Sequence, residues 1–149
     1  NQKINTSSRL NNLIKKENST FNNNEVYKKF VKKIDTASLK LQEKINQIKN
    51  KGFNVVGKAC PARAIVLLSY NNLNYKKIPY IAEQDTSLKL NLTIPFLNIS
   101  IKSSKIFLKE KPEYILLLAW HLKKPIIKKW RDKGLKSKFI VPLPKYEIL

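Results

Sequence analysis

The run Tyr114–Trp120, YILLLAW, constrains the fold more than any other stretch. It has no polar residue at alternate positions, so it suits a strand covered on both faces, as in the middle of a parallel sheet. A strand of that kind needs helices above and below it, and the rest of the chain supplies the pattern. Val26, Phe30, Ile34, Ala37, Leu41, Ile45 and Ile48 recur at three or four residues through 25–50, which predicts one long helix ended by Gly52. Residues 53–57 (FNVVG) then read as a strand, 62–71 as a helix and 78–82 as a strand. After the central strand, 122–133 reads as a helix with Pro125 in its first turn, and 139–143 as a last strand with Pro142 at its end. This alternation predicts an α/β fold, a small three-layer domain with a mostly parallel sheet, preceded by the long helix. Residues 83–110 carry little periodic signal, and 88–100 read as an extended loop anchored by Pro95.

Residues 1–24 differ from the rest. They are rich in Asn, Ser, Thr and Lys without a sustained period, and predict a polar, basic extension that is loose alone and orders against a partner. The domain proper is expected over 25–149. Asn1 as first residue, with no methionine anywhere, suggests a processed product or a fragment of a longer chain.

Charge is the unusual part of the composition: 30 basic residues against 10 acidic ones give +20. A chain so charged repels itself when compact and seeks a polyanion. The single cysteine, Cys60, excludes an internal disulfide framework and fits an intracellular, reducing compartment, with the mitochondrial matrix as one candidate. One cysteine and one histidine far apart do not make a structural zinc site, so no metal is expected. No constellation of catalytic groups stands out either, and no cofactor is expected. No apolar run approaches the length of about 18 residues that a membrane-spanning helix needs.

The basic excess concentrates in HLKKPIIKKWRDKGLKSK, where Lys123, Lys124, Lys128, Lys129, Arg131, Lys133, Lys136 and Lys138 face a single acid, Asp132. Ile126, Ile127 and Trp130 make the other side of the same helix. The cations suit a phosphate backbone read by charge and shape, and Arg9, Lys15 and Lys16 of the extension suit the same role. Trp130 is either a base-stacking platform or a packing residue.

A second candidate site lies at VVGKACPARAIVLLSY. A glycine directly after a strand and before a helix, Gly57, is where a Rossmann-like unit sets a phosphate on the helix N-terminus. Only one glycine of the G-x-G-x-x-G fingerprint is present. Lys58 and Arg63 are the cations of this turn, and Arg63 is either a phosphate fork or a solvated surface group. His121, at the exit of the central strand, is either a hydrogen-bonding ligand contact or a structural residue.

Three patches resemble one family. VVGKACPARAIVLLSY, PEYILLLAWHL and SKFIVPLP are similar, in the same order, to the turn-and-helix, central strand and closing strand in the C-terminal domain of bacterial sugar C-methyltransferases. The resemblance covers about four-fifths of the chain. It implies a Rossmann-like domain that helps hold a nucleotide-sugar, with Gly57, Lys58, Arg63 and His121 at the site, and an upstream domain that carries S-adenosylmethionine and the catalytic residues. The departures fall on the ligand-facing positions. Lys58 stands for the family's tyrosine, Ala59 and Ala64 for glycines, Val66 for a threonine, Arg63 for a lysine and His121 for an asparagine. Phe96 and Leu97 replace the Gly-Thr that follows the proline of a P-G-T loop.

Two functions follow as expectations. One is a non-catalytic basic subunit built on this scaffold, bound to RNA and neighbouring proteins in a large ribonucleoprotein assembly such as a ribosome, with mitochondria suggested by composition. The alternative is the nucleotide-sugar-binding C-terminal domain of an S-adenosylmethionine-dependent sugar C-methyltransferase, working with its upstream domain.

Overall fold

The computed structural model describes residues 7–149. By contacts the chain divides into two compact units, one through Thr36 and one from Ala37 to Leu149.

In the first unit, the extension expected to be loose forms helix α1 (Ser8–Phe21); its residues 1–6 lie outside the described residues. Ser7 supplies the cap, its Oγ accepting from the Leu10 amide at 3.3 Å. Leu10, Leu13 and Ile14 give the segment a short helical stripe that its polar composition hides, and all three stay exposed. Helix α2 (Asn24–Asn50) matches the long helix expected from the apolar stripe. Its members Phe30 and Ile34 are exposed, whereas Leu41, Ile45 and Ile48, in the second unit, are buried. Gly52 ends the helix with φ 82, a left-handed conformation that glycine adopts freely.

The second unit is a seven-stranded sheet. Its elements run β1 (Val55–Lys58), α3 (Ala62–Tyr70), β2 (Tyr80–Glu83), β3 (Thr93–Ile94), β4 (Ile99–Ser103), α4 (Ile106–Glu110), β5 (Tyr114–Leu117), a 3-10 turn (Trp120–Leu122), α5 (Lys123–Asp132), β6 (Lys138–Val141) and β7 (Glu147–Ile148). The strands lie in the order β3-β4-β2-β1-β5-β6-β7. β4, β2, β1, β5 and β6 pair in parallel, and β3 and β7 are antiparallel edges. That parallel core is the strand order of the doubly wound, Rossmann-like fold, as the sequence predicts.

Period-two alternation splits the core into two layers. Val55, Ile81, Leu116 and Ile140 face a cluster completed by Leu41, Ile45, Ala64 and Leu68 from α2 and α3. Val56, Ala82, Leu117 and Phe139 face a second cluster completed by Phe107 of α4 and Trp130 of α5. Gly57 lies where β1 is squeezed against β2: a Cβ there would sit 2.6 Å from Ile81 Cγ1. No helix among the described residues is long and apolar enough to cross a membrane.

The structure corrects several boundaries. The central strand stops at Leu117 rather than Trp120, because the chain turns into the 3-10 segment. The loop expected over 88–100 contains β3 and the start of β4, a strand of the parallel core. Only Ile99 and Ile101 carry its signal, too few for alternation to stand out.

Candidate functional site

Neighbouring strands β1 and β5 send their connections in opposite directions, to β2 and to β6, so the carboxyl ends of this pair form the topological switch where such sheets bind ligands. After β1 the chain passes through Ala59 with φ 67, a left-handed conformation at the position where the resembled family has glycine. Arg63 then lies in the first turn of α3, exposed. After β5, Leu118 donates its amide to the Lys58 carbonyl at 3.0 Å, and the 3-10 turn presents Trp120 and His121. The Arg63 guanidinium lies 5.7 Å from the centre of the Trp120 ring. The His121 ring stands edge-on to Trp120 at 6.4 Å. Arg63, Trp120 and His121 are therefore brought together at the switch.

Lys58 is not part of that group. Its side chain follows Val56 onto the α4/α5 side, where Nζ donates to Ser104 Oγ at 2.7 Å and the Ala82 carbonyl at 3.2 Å. Burial is the main cause that pushes its ammonium down to about 8, with Glu83 pulling the other way. Lys58 is thus a fixed interior group rather than a ligand-facing cation.

The turn itself is also committed. The Cys60 amide donates to Glu83 Oε2 at 2.7 Å, and the Gln84 amide to Glu83 Oε1 at 2.9 Å. Lys89 Nζ donates to the Cys60 carbonyl at 2.6 Å. A carboxylate from the end of β2 thus occupies an amide of the turn between β1 and α3. Sequence reading missed Glu83 and Lys89; an acid ending the second strand was the available signal, but that strand was expected to stop at residue 82. Cys60 is buried, and burial raises its thiol pKa, so it is a packing residue and not a nucleophile. No group of three or more His, Cys, Asp or Glu among the described residues is placed to hold a metal.

The cationic segment divides by role. Ile126, Ile127 and Trp130 turn α5 onto the sheet. Trp130 is 2% exposed and meets Phe107 edge-on at 5.0 Å, which makes it a core residue and removes it as a stacking platform. Lys123 pairs with Glu147 at 2.5 Å, and Lys128 with Asp132 at 3.0 Å. Arg131 Nη1 donates to the Leu135 carbonyl at 2.6 Å. Lys124, Lys129, Lys133, Lys136 and Lys138 are exposed. Arg9, Lys15 and Lys16 are exposed on α1, in the other unit.

Comparison with known proteins adds the family. A family model described as the C-methyltransferase C-terminal domain matches residues 1–144. The curated protein C-methyltransferase NovU of Streptomyces niveus is 27% identical over 126 residues, which cover 83% of this chain and 29% of that protein. The chain therefore spans less than a third of the length of the curated relative it matches. Both matches favour the enzyme-domain expectation over the ribonucleoprotein one.

Proposed function

The chain belongs to the C-methyltransferase C-terminal domain family, and on that premise we propose that it is the nucleotide-sugar-holding domain of a sugar C-methyltransferase. In this reading the methyl donor and the groups that move protons lie in another part of the enzyme. This domain binds the activated sugar and orients it. Arg63 forks onto the diphosphate, Trp120 offers a ring face, and His121 supplies a hydrogen-bonding edge. The observation that carries the reading is the meeting of Arg63 and Trp120 at the switch between β1 and β5. The sugar specificity rests on the resemblance in the three sequence patches.

Calorimetric titration of the chain with nucleoside diphosphate sugars tests it. Saturable binding that disappears in Arg63→Ala and survives in Arg9→Ala supports the proposal. Absence of saturable binding, or binding that Arg63→Ala leaves unchanged, refutes it.

A further inference from the structure

The sheet carries a second concave site at its other end. Phe53 precedes β1, Tyr114 opens β5 and Lys138 opens β6. These strands run parallel, so their amino ends lie together, opposite the crevice that holds Arg63. A cavity of about 540 Å³ opens there, and Phe53, Leu108, Pro112, Tyr114 and Leu135 give it an apolar floor. The Phe53 and Tyr114 rings stand 5.8 Å apart, tilted by 57°. Phe53 is 40% exposed and Leu108 45%. Large apolar side chains scattered singly over a surface are ordinary, but these converge on one concavity, which marks an interaction site.

The rim carries one sign of charge. Lys111, Lys133, Lys136 and Lys138 line the opening and are exposed. None of the four has a carboxylate within ion-pairing distance among the described residues. The one acid of the lining, Glu113, accepts from the Asn54 amide at 3.2 Å. Lysines alone would attract any polyanion, so the floor decides which one fits. Its serine, Ser137, is buried and donates to the Pro112 carbonyl. A nucleobase pressed onto this floor would leave edge groups without partners, a loss that an aromatic or aliphatic side chain does not incur. A second copy of this chain, at +20, would bring charge of the wrong sign.

We propose that this cavity docks an acidic peptide segment. Its aromatic or aliphatic anchor fills the floor between Phe53, Leu108 and Tyr114, and its carboxylates meet the four lysines of the rim. The surface lies at the far end of the sheet from the proposed nucleotide-sugar site and works independently of it.

The full chain is titrated into three labelled probes of equal negative charge at physiological ionic strength, with binding read by fluorescence anisotropy. The probes are a short peptide of aspartates around one phenylalanine, the same peptide with alanine in that place, and an oligouridylate. The expected result is saturable binding of the phenylalanine peptide, about tenfold tighter than the alanine peptide. Phe53→Ser and Leu108→Ser should each close most of that gap, with Tm measured to show that both variants fold. Lys111→Gln with Lys136→Gln should weaken both peptides alike and flatten their salt dependence. Leu39→Ser, at an exposed position of α2, should leave the gap in place. So should Arg63→Ala, which lets this proposal and the nucleotide-sugar reading fail separately. Equal affinity for the two peptides would overturn the proposal, as would a gap that survives both serine variants. Tighter binding of the oligouridylate, weakened by those same variants, would overturn it in favour of a nucleic-acid strand.

Discussion

Replacing Lys58 by methionine should stabilise the protein, and by an amount that depends on pH. The lysine is 6% exposed, and its pKa is lowered from 10.5 to about 8, mainly by burial. At ~1.36 kcal/mol per pKa unit, keeping it charged costs about 3 kcal/mol near neutrality. Methionine retains most of the apolar stem and leaves no orphaned acceptor. The Ala82 carbonyl still accepts from the Ala59 amide at 3.0 Å, and the Ser104 hydroxyl still donates to the Glu83 carbonyl at 2.6 Å. The shorter side chain leaves a small void costing about 1 kcal/mol, so Lys58→Met should gain about 2 kcal/mol at pH 7. That corresponds to roughly 4–8 °C in Tm for a chain of this size. The sign with pH is fixed by proton counting. Between about pH 8 and 10.5 the unfolded lysine holds its proton while the native one releases it, so native stability rises with pH in that window. The advantage of methionine is therefore full below pH 8 and shrinks towards pH 10.5. Urea unfolding of both proteins at pH 7 and pH 10 checks this, and their difference cancels the titration of every other group. A variant less stable at pH 7, or a gap of the same size at both pH values, would show that Lys58 is not a buried charge held at a cost.

Three further substitutions test the backbone readings. Ala59→Gly should stabilise by about 0.5–1 kcal/mol, because a left-handed alanine costs about 1–2 kcal/mol and glycine returns part of that as unfolded-state entropy; the midpoint of urea unfolding reports it. Phe96→Gly should also raise Tm, since Phe96 has φ 63 with a fully exposed ring and so buries nothing that glycine would lose. Gly57→Ala should destabilise by about 1–3 kcal/mol through the clash with Ile81, seen as a lower Tm.

Much of this fold was legible because its periods are strong. The stripe from Leu41 to Ile48 and the doubly apolar run at Tyr114 leave few alternatives to a covered parallel sheet. What stayed hidden had weak local signal or depended on register. β4 carries two isoleucines between polar residues, so nothing in it separates a core strand from a loop. α1 depends on one serine cap and a three-residue stripe in a segment of otherwise unfavourable composition. The direction of Lys58 was available in principle, because period two places it on the face of Val56, away from α3. Its hydrogen bond to Ser104 spans 46 positions, which no local pattern encodes. Trp130 looked equally suited to stacking and to packing from sequence, and only its contact with Phe107 decides between them.

The altered glycine positions bear on how any ligand is held at the switch. Ala59 and Phe96 keep left-handed backbone although their side chains penalise it, so the strand pairing, and not the side chain, dictates the turn. The Ala59 amide goes to the Ala82 carbonyl and the Cys60 amide to Glu83, which leaves these two turn amides engaged. A phosphate at this crevice therefore loses those two backbone donors, and Arg63 is the exposed cation in place beside Trp120. Charge at position 63 should therefore supply most of the hold, with the guanidinium fork adding the remainder. Arg63→Lys, which restores the residue of the resembled family, should keep nucleotide-sugar binding within about tenfold, while Arg63→Ala should lose it. Calorimetry on the two variants side by side decides. If alanine binds as well as lysine, the anion is held by something other than this side chain, and the side-chain account of the site fails.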